Sequence, residues 1–322
     1  MKFLVLKSKN PYYNLAVEEY IFKTATESVF MLWQNEPTVV IGKNQNAFLE
    51  VDKDFIDKNS IKIARRITGG GAVYHDLGNV NYTYIEPNFH SELNFEYFTL
   101  PIIKALQNLK INCRLSGRND LETLDGLKFS GSAQHRENDR VLHHGTLLFS
   151  CDFSVMKNAL TPSREKLKSK AIKSVDKRVV NLDSLIDVPS VNDFIISIKS
   201  ELKKSFNFDE IEAPKNAEID RLFERNSSYN WIFGEKPLHM NYSKSFSKRF
   251  NFGSVTIEFF MSKDVIQKVN ISGDFFENKS AEELENLFVN VPYKNVIKVI
   301  NSIDVGDYIL GMKNEDLMSL IN

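Results

Sequence analysis

The stretch from Ala64 to Asn79, "ARRITGGGAVYHDLGN", constrains the fold of this chain more than any other part of it. Three consecutive glycines lose backbone entropy on folding, roughly 0.5–1 kcal/mol for each glycine relative to alanine in a regular element. Such glycines occur where the backbone bends sharply or approaches another group closely. The sequence therefore predicts a tight turn between two strands or a close contact between this backbone and a ligand.

The glycines and the two arginines before them have two interpretations. The stretch has neither the Gly-Lys-Ser/Thr of a Walker A loop nor the spaced glycines of a dinucleotide fold. Successive backbone N–H groups in a glycine-rich turn can still form an anion-binding nest. Arg65 and Arg66 point to opposite faces of the incoming strand, so one of them can reach that nest. The alternative is a plain turn with both arginines in solvent.

A lysine beside a predicted hairpin is the second candidate anchor. Asp125-Gly126 predicts a two-residue type I′ turn, and Lys128 lies two residues beyond it in "LKFSGSA". Small neighbours leave room for a ligand, and a compact positive charge suits a phosphate or a carboxylate. The alternative is an exposed lysine on an ordinary strand.

The histidines and cysteines do not predict a structural metal site. His143 and His144 are neighbours on a predicted strand and point to opposite faces, and His75 has no ligand spacing to either. Cys113 and Cys151 are far apart, which excludes a disulfide framework and suits a reducing cytoplasm.

Several polar residues lie close in sequence to the two anchors. Asp76, Asn79, Asn119 and Asp120 can cap turns, or one carboxylate can hold Mg²⁺ together with substrate oxygens. The sequence alone leaves both possibilities open.

Length and charge limit the class of protein. A chain of 322 residues predicts one large and one smaller domain, and the net charge of −1 gives no basic field for nucleic acid. No apolar run approaches the ~18 residues of a membrane span, and a monomer is expected. We place the domain boundary near residue 244, with domains 1–243 and 244–322 and the segment 240–251 as a linker.

The pattern of elements predicts an α+β fold. Helical spacing is seen over residues 10–25 and 95–111, where Pro101 is expected to delay the start of the second helix. Strand patterns cover "VFMLWQN", "PTVVIGK", "IKIARRI", "NVNYTYIE" and "VLHHGTLLFS". Ser280 and Glu283 predict a capping box.

Three segments in this order closely resemble the lipoate–protein ligase A family of the biotin/lipoate protein ligase group. They are "RRITGGGAVYHDLGN", "GRNDLETLDGLKFSGSAQHRENDRVLHHGTLL" and "KLKSKAIKSVDKRVVNL". "NLAVEEYIF" and "PTVVIGKNQNAFLEV" extend the resemblance over most of residues 1–240. It implies a large mixed-sheet catalytic domain followed by a small α/β accessory domain.

The resemblance implies a two-step reaction. Lipoate reacts with ATP to give lipoyl-adenylate, and a lysine of a lipoyl-accepting protein (an E2 subunit or an H protein) then takes the lipoyl group. Lys128 is implied as the catalytic residue, with Asn79 and Asp120 near the nucleotide and Asp120 as a magnesium ligand. The residues implied to bind ATP and the adenylate are Arg66, Gly69, Gly70, Gly71, Ala72, Val73, Tyr74, Asn79, Asp120 and Lys128.

The resemblance also requires a slot for the lipoyl tail and a docking surface for the acceptor. By position, the candidates for the slot are Leu32, Val40, His75, Ala133 and His144. The segment 163–178 carries seven basic and two acidic side chains, and we expect it to close over the adenylate and face an acidic lipoyl domain.

Three alternatives remain beside the ATP-dependent ligase. An octanoyl or lipoyl transferase uses a cysteine thioester, and Cys113 lies near the required place, although "SGRND" stands where the cysteine loop is expected. A biotin ligase characteristically has Gly-Arg-Gly-Arg where this chain has "TGGGAV". A non-catalytic binding module would keep the ligand without turnover. Release of AMP separates the ligase from the transferase and the binding module.

Overall fold

The computed structural model of the chain describes residues 1–90, 94–117, 119–160, 179–234 and 242–321. The strands are β1 Lys2–Val5, β2 Val29–Trp33, β3 Thr38–Ile41, β4 Lys62–Arg65, β5 Val73–His75, β6 Asn79–Glu86, β7 Cys113–Ser116, β8 Asp120–Thr123, β9 Lys128–Glu137, β10 Arg140–Leu148, β11 Asp209–Glu210, β12 Lys244–Phe250, β13 Gly253–Ser262 and β14 Val265–Gly273. The helices are α1 Pro11–Thr24, α2 Ala47–Glu50, α3 Lys53–Lys58, α4 Phe95–Asn108, α5 Phe153–Ala159, α6 Val191–Ser205, α7 Ala217–Ser227, α8 Tyr229–Phe233, α9 Ala281–Phe288, α10 Val296–Asn301 and α11 Asn314–Ile321. The predicted α+β class is confirmed.

The largest sheet among the described residues is mixed and has eight strands in the order β11-β1-β2-β6-β10-β9-β8-β7. The pairs β11–β1 and β1–β2 are parallel, and the other neighbours run antiparallel. A smaller sheet has the order β4-β3-β5. The three glycines connect β4 to β5, so the smaller sheet holds both ends of the glycine loop.

Helix α1 forms where the sequence predicts it. The side chain of Asn10 accepts hydrogen bonds from the backbone N–H groups of Tyr12 and Tyr13, and Pro11 starts the helix. The buried face carries Ala16 and Val17, and the next residue, Glu18, is buried as well. This helix therefore places an acidic side chain inside the N-terminal part of the molecule.

Helix α4 begins earlier than predicted. Pro101 was expected to delay its start, but the helix runs from Phe95 with Asn94 as its cap. The Asn94 side chain accepts a hydrogen bond from the N–H of Tyr97, and Phe98 is fully buried. Capping and burial of this first turn outweigh the hydrogen bond that proline removes.

The hairpin before Lys128 is present, but its turn is not type I′. Gly126 has a φ of 86°, whereas Asp125 does not have a positive φ. The N–H of Thr123 donates to the carbonyl of Leu127 at 2.9 Å, which closes a loop of three residues rather than two. Three-residue loops need positive φ only at their last residue, where this chain has glycine.

The C-terminal residues form a separate core around the sheet β12-β13-β14. The segment predicted as a linker contains strand β12, an outer strand whose Lys and Ser side chains are mostly exposed. An edge strand of this composition resembles a linker in sequence, because the face of the strand that is exposed to solvent needs no apolar residues. At the capping box, Ser280 does cap α9, by accepting from the N–H of Glu282 at 3.3 Å.

Candidate functional site

A cavity of about 150 Å³ lies between the glycine loop, the central strands of the large sheet and the C-terminal domain. Its walls combine apolar side chains, glycine backbone and a few polar groups. The lining residues are Leu15, Trp33, Val40, Arg66, Gly70, Gly71, Ala72, Val73, His75, Asn81, Asn119, Lys128, Gly131, Ser132, Ala133, His144, Gly145, Thr146 and Phe276. Both anchors proposed from the sequence therefore face one space.

Two of the three glycines are required by contacts with the C-terminal domain. A Cβ at Gly69 would lie 2.4 Å from the carbonyl oxygen of Phe275. Gly70 has a φ of 89°, and its N–H donates to that carbonyl at 3.0 Å. Phe276 then reaches the cavity wall. The glycine loop thus contacts the C-terminal domain and also forms part of the cavity wall.

The interpretation with both arginines in solvent is wrong. Arg65, the last residue of β4, and Arg66, which follows it, are both buried, and their side chains bond to different groups. Arg65 donates to the carbonyl oxygens of Gly42, Lys43, Gln45, Trp231 and Ile232 at 2.6–3.1 Å. It therefore ties the turn after β3 to helix α8.

Arg66 braces the glycine loop. Its Nη2 donates to the carbonyl oxygens of Gly69 at 2.7 Å and Gly71 at 2.8 Å, and its Nη1 donates to that of Val40 at 3.1 Å. Burial lowers the pKa of Arg66 to about 10, against the raising effect of Glu18. The guanidinium therefore stays charged at neutral pH beside the cavity.

Lys128 has a carboxylate partner. Its Nζ lies 2.8 Å from Oδ1 of Asp120, and both side chains are partly exposed. A Cβ at Gly131 would lie 3.3 Å from Nζ, so the lysine head sits over this glycine. The pair leaves Lys128 free to exchange Asp120 for a substrate anion, because a partly exposed ion pair is weak.

The two histidines of the cavity have different partners. His144 contacts Glu18 through Nδ1 at 3.0 Å and Thr68 through Nε2 at 2.9 Å. His75 contacts the Asn35 amide through Nδ1 at 3.1 Å, and its buried Nε2 has no hydrogen-bond partner among the described residues. Burial, with the charge of Arg66 as a smaller cause, lowers the pKa of His75 to about 3.

Acid sensitivity follows from three histidines, of which His75 and His143 are buried and His135 is partly buried. Burial lowers the pKa of His75 to about 3 and of His135 to about 4, and that of His143 well below its ordinary value. Below pH 6.5 the unfolded chain binds protons that the folded chain does not, so stability falls as the pH falls. We expect each histidine to remove about 1.4 kcal/mol of unfolding free energy between pH 7.5 and 5.5, because the unfolded imidazole takes up its proton across that interval. Urea unfolding at pH 7.5 and 5.5 measures the slope.

The variant His135→Gln is the control for this expectation. It removes one of the three histidines that bind a proton in the unfolded chain and not in the folded chain. The dependence of the unfolding free energy on pH should therefore fall by about one third. Equal stability of the native chain at pH 7.5 and 5.5 would contradict the assignment.

The structure separates the predicted site residues into two groups. Those that line the cavity are Arg66, Gly70, Gly71, Ala72, Val73, Lys128, Val40, His75, Ala133 and His144. Gly69, Leu32, Tyr74, Asn79 and Asp120 do not line it. Leu32 lies in the core on the other face of β2, so Trp33 takes the place proposed for it. A strand alternates its faces, and a shift of one residue reverses them.

The other four lie near the cavity or away from it for identifiable reasons. Gly69 faces Phe275, and Tyr74 packs in the core on the far face of β5. Asn79 donates to the side chain of Asn81 at 2.8 Å, and Asn81 reaches the cavity. Asp120 does not reach the cavity wall but contacts Lys128, which does.

Sequence reasoning missed several lining residues. Gly131 and Ser132 stand in the small-residue run "FSGSA", which was a usable signal. Phe276 comes from the C-terminal domain, and no local pattern indicates that it reaches this cavity.

Neither cysteine is placed as a nucleophile. Cys113 is buried in the main core, and burial raises the pKa of its thiol to about 11. Burial also raises the pKa of the Cys151 thiol, with the charge of Asp76 as a further cause. Because the thiolate is the reactive form, both side chains are inert at neutral pH.

The described residues hold no group of three or more His, Cys, Asp or Glu side chains able to bind a metal. Mg²⁺ needs fewer protein ligands when phosphate oxygens complete its shell. The single carboxylate of Asp120 beside Lys128 fits that second kind of site. The segment 163–178, proposed to close over the adenylate, lies outside the described residues.

Two protein-family models match most of the chain. The model of the lipoyl protein ligase A/B catalytic domain matches residues 10–203, and that of the bacterial lipoate protein ligase C-terminus matches residues 239–321. Lipoate–protein ligase 1 of Staphylococcus aureus (strain Mu50) is 35% identical over 97% of each chain.

Two solved structures are also similar. LipL1 of P. falciparum in complex with lipoate has a TM-score of 0.79 and 26% identity, covering 96% of this chain and 95% of its own. A bipartite lipoate protein ligase from Thermoplasma acidophilum, studied with its E2 lipoyl domain, has a TM-score of 0.65 and 26% identity, covering 74% of this chain and 98% of its own. Across the described part of the chain, every helix is too short or too polar to span a membrane.

Proposed function

Because the chain belongs to the lipoyl protein ligase A/B family, we propose that it activates lipoate with ATP and transfers the lipoyl group to a lysine of a lipoyl domain. The relative from P. falciparum binds lipoate, and the one from T. acidophilum was studied with an E2 lipoyl domain. Lipoyl domains of E2 subunits or H proteins are the proposed acceptors.

One observation carries this proposal. Arg66, the backbone of Gly70 and Gly71, and Lys128 surround the same cavity, whose other walls are largely apolar. The positive charges of Arg66 and Lys128 suit phosphate and carboxylate groups, and apolar walls suit the aliphatic tail and dithiolane of lipoate. A cavity built for only one of these chemistries would not need both kinds of wall.

In the first step a carboxylate oxygen of lipoate attacks the α-phosphorus of ATP. The new bond joins that oxygen to phosphorus, and the bond to pyrophosphate breaks with its electron pair. The two reactants are anions, so fixed positive groups must offset their repulsion and the charge that develops at phosphorus. Lys128 and Arg66 supply that charge, and no covalent bond to the protein forms.

In the second step the neutral ε-amine of the acceptor lysine attacks the acyl carbon of lipoyl-adenylate. An amide forms, AMP leaves with the electron pair of the acyl–oxygen bond, and the extra proton passes from nitrogen to solvent. Lys128 is the one group proposed to contact both the acyl oxygen and the α-phosphate. It therefore stabilises the intermediate that the two steps share.

We propose that Mg²⁺ binds together with ATP. Asp120 would hold Mg²⁺ together with phosphate oxygens, and the ion would neutralise part of the phosphate charge. Lys128 would then exchange its contact with Asp120 for the substrate.

We propose that residues 1–243 form the catalytic domain and residues 244–322 an accessory domain, in a monomeric enzyme. The separate apolar core of the C-terminal residues supports this division. The contact of Gly70 with Phe275 and that of Asn44 with Glu277 join the two parts.

An acceptor-lipoylation assay tests the function. The chain is incubated with an apo lipoyl domain, ATP, Mg²⁺ and free lipoate, and in parallel with synthetic lipoyl-adenylate. Lipoylated domain with stoichiometric AMP and pyrophosphate supports the ligase. Transfer from the adenylate alone would show a chain that lacks the activation step, and failure of both would overturn the proposal.

The thioester transferase makes a different prediction for Cys113. We expect Cys113→Ser to keep ligase activity within about twofold of the native chain, because a buried thiol with a raised pKa takes no part in the reaction. Lipoyl transfer rates of the two proteins are the measurement. Complete loss of transfer in a folded Cys113→Ser protein, with an acyl-cysteine adduct in the native protein by mass spectrometry, would favour the transferase.

A further inference from the structure

A buried carboxylate, Glu18 of helix α1, lies behind the cavity wall and has no role in the reaction described above. Its side chain is 1% exposed. The hydroxyl of Thr83 donates to Oε1 at 2.6 Å, and Nδ1 of His144 lies 3.0 Å from the same oxygen and 3.2 Å from Oε2. Burying a carboxylate is costly, so its place here needs an explanation.

One branch of hydrogen bonds leads from Glu18 to the aromatic part of the cavity wall. The indole Nε1–H of Trp33 donates to Oγ1 of Thr83 at 2.9 Å, and Thr83 donates in turn to Glu18. Trp33 lines the cavity, whereas Thr83 is fully buried. The indole N–H is thereby connected to the carboxylate through one hydroxyl group.

A second branch leads from Glu18 to the charged part of the wall. His144 lies 2.9 Å from Oγ1 of Thr68 through Nε2, and Thr68 accepts from Nε of Arg66 at 2.8 Å. His144 and Arg66 line the cavity. The same Arg66 holds the carbonyl oxygens of Gly69 and Gly71. Glu18 is thus connected to the carbonyl oxygens of the glycine loop through three side chains, those of His144, Thr68 and Arg66.

The direction of each hydrogen bond in this branch follows from the donors. Arg66 can only donate, so Thr68 accepts from it and has its own hydroxyl hydrogen to give. Nε2 of His144 accepts this hydrogen bond from Thr68 when Nε2 carries no proton. The single ring proton of the neutral imidazole is then on Nδ1, which faces Glu18. Every donor has an acceptor in this arrangement, and both branches end on one carboxylate.

We propose that Glu18 is a positioning residue of the ligase site, which fixes the Nδ1–H tautomer of His144 and aligns Arg66 and Trp33 on the cavity. This inference rests on the proposed function. Glu18 does not line the cavity, so it acts through residues that do. Its charge also offsets that of the buried Arg66.

The test compares Glu18→Leu and Glu18→Gln with the native chain. Leucine leaves His144 without an acceptor at Nδ1, so the ring proton is expected to move to Nε2 and face Thr68. The kcat of lipoyl-AMP formation should fall up to about 100-fold, because small displacements of aligned groups have effects of that size. Glutamine keeps an acceptor oxygen and should restore part of the rate.

Glu19→Leu is the matched control. Glu19 is the next residue of α1 and is also buried, but it is paired with Lys23 at 2.7 Å and with Arg225, away from the cavity. Loss of a buried carboxylate there should lower stability and leave kcat and KM unchanged at temperatures where the variant is folded. A purely structural role of Glu18 would make the two variants alike.

A second readout does not depend on activity. The ¹⁵N chemical shifts of the His144 ring, assigned by their loss in His144→Gln, report which nitrogen carries the proton. We expect the proton on Nδ1 in the native chain and on Nε2 in Glu18→Leu. A native ring without a proton on Nδ1, or native kcat and KM in Glu18→Leu, would overturn the proposal.

The outcomes separate this inference from the proposed function. A native chain that makes no lipoyl-AMP would overturn the function, while the ring shifts would still test the role of Glu18. If Glu18→Leu does not fold, the native ring shifts and the kcat of Glu18→Gln are used instead. A proton on Nδ1 in the native ring and a lowered kcat in Glu18→Gln would support the proposal, and a native ring without that proton or a native kcat in Glu18→Gln would overturn it.

Discussion

Replacing Lys128 by alanine is expected to slow lipoylation of an acceptor domain strongly, and to the same extent from free lipoate as from supplied lipoyl-adenylate. Removal of one positive group aimed at a developing charge lowers such rates roughly 100- to 1000-fold. Both steps should fall by this amount, because both pass through the adenylate that Lys128 is proposed to contact. Single-turnover rates of AMP formation and of lipoyl transfer are the measurement.

Lys128→Arg and Asp120→Asn are informative controls for this expectation. Arginine retains the charge but spreads it over a planar group, so partial activity is expected. Asp120→Asn removes the partner of Lys128 without removing the lysine. Stability should change little in any of these variants, because the ion pair is partly exposed. Normal transfer from lipoyl-adenylate in Lys128→Ala would contradict a role in both steps.

Replacing Arg66 by lysine is expected to have the second largest effect. A lysine cannot reproduce the fork that holds Val40, Thr68, Gly69 and Gly71 together. Two or more of these buried acceptors lose their donor, at a cost of about 1–3 kcal/mol each. We expect kcat/KM for ATP to fall more than about 100-fold as the glycine loop shifts, and the urea midpoint to fall as well.

Arg65→Lys provides the comparison at the adjacent position. Arg65 is equally buried and donates to carbonyl oxygens, but on the face of β4 away from the cavity. Its replacement should lower the unfolding free energy by a similar amount while kcat/KM for ATP falls less than about threefold. Equal losses of activity in Arg65→Lys and Arg66→Lys would contradict a specific role of Arg66. They would show that the activity is lost through general loosening of the glycine loop and not through the position of Arg66 at the cavity.

Much of the site could be predicted from local pattern. The three glycines, the arginine pair and Lys128 stand out as candidates by residue type and spacing, whereas the choice of Arg66 over Arg65 rests on the family resemblance. Their convergence on one cavity is a finding of the structure. Leu32 does not face the cavity, and the sequence could not show this because a strand buried on both faces, as β2 is, has no alternation of polar and apolar residues that would reveal which side chains face which way.

Two other local signals pointed to the wrong structure. Asp125-Gly126 favours a two-residue turn, yet the surrounding strands close a loop of three residues with positive φ at Gly126. The segment at residue 244 resembles a linker but pairs along β13. In both cases hydrogen bonds to a neighbouring strand decided the outcome, and such partners cannot be identified from the segment itself.

The sequence by itself determined the family, the α+β class, the start of α1 and the residue types that carry charge to the site. These properties depend on residues close together in the chain. The tertiary structure alone decided that Phe275 meets Gly70, that Phe276 reaches the cavity, and that Glu18 lies behind Arg66 and His144. Such contacts join residues tens to hundreds of positions apart, and they exist only once the sheets have packed and brought those side chains together.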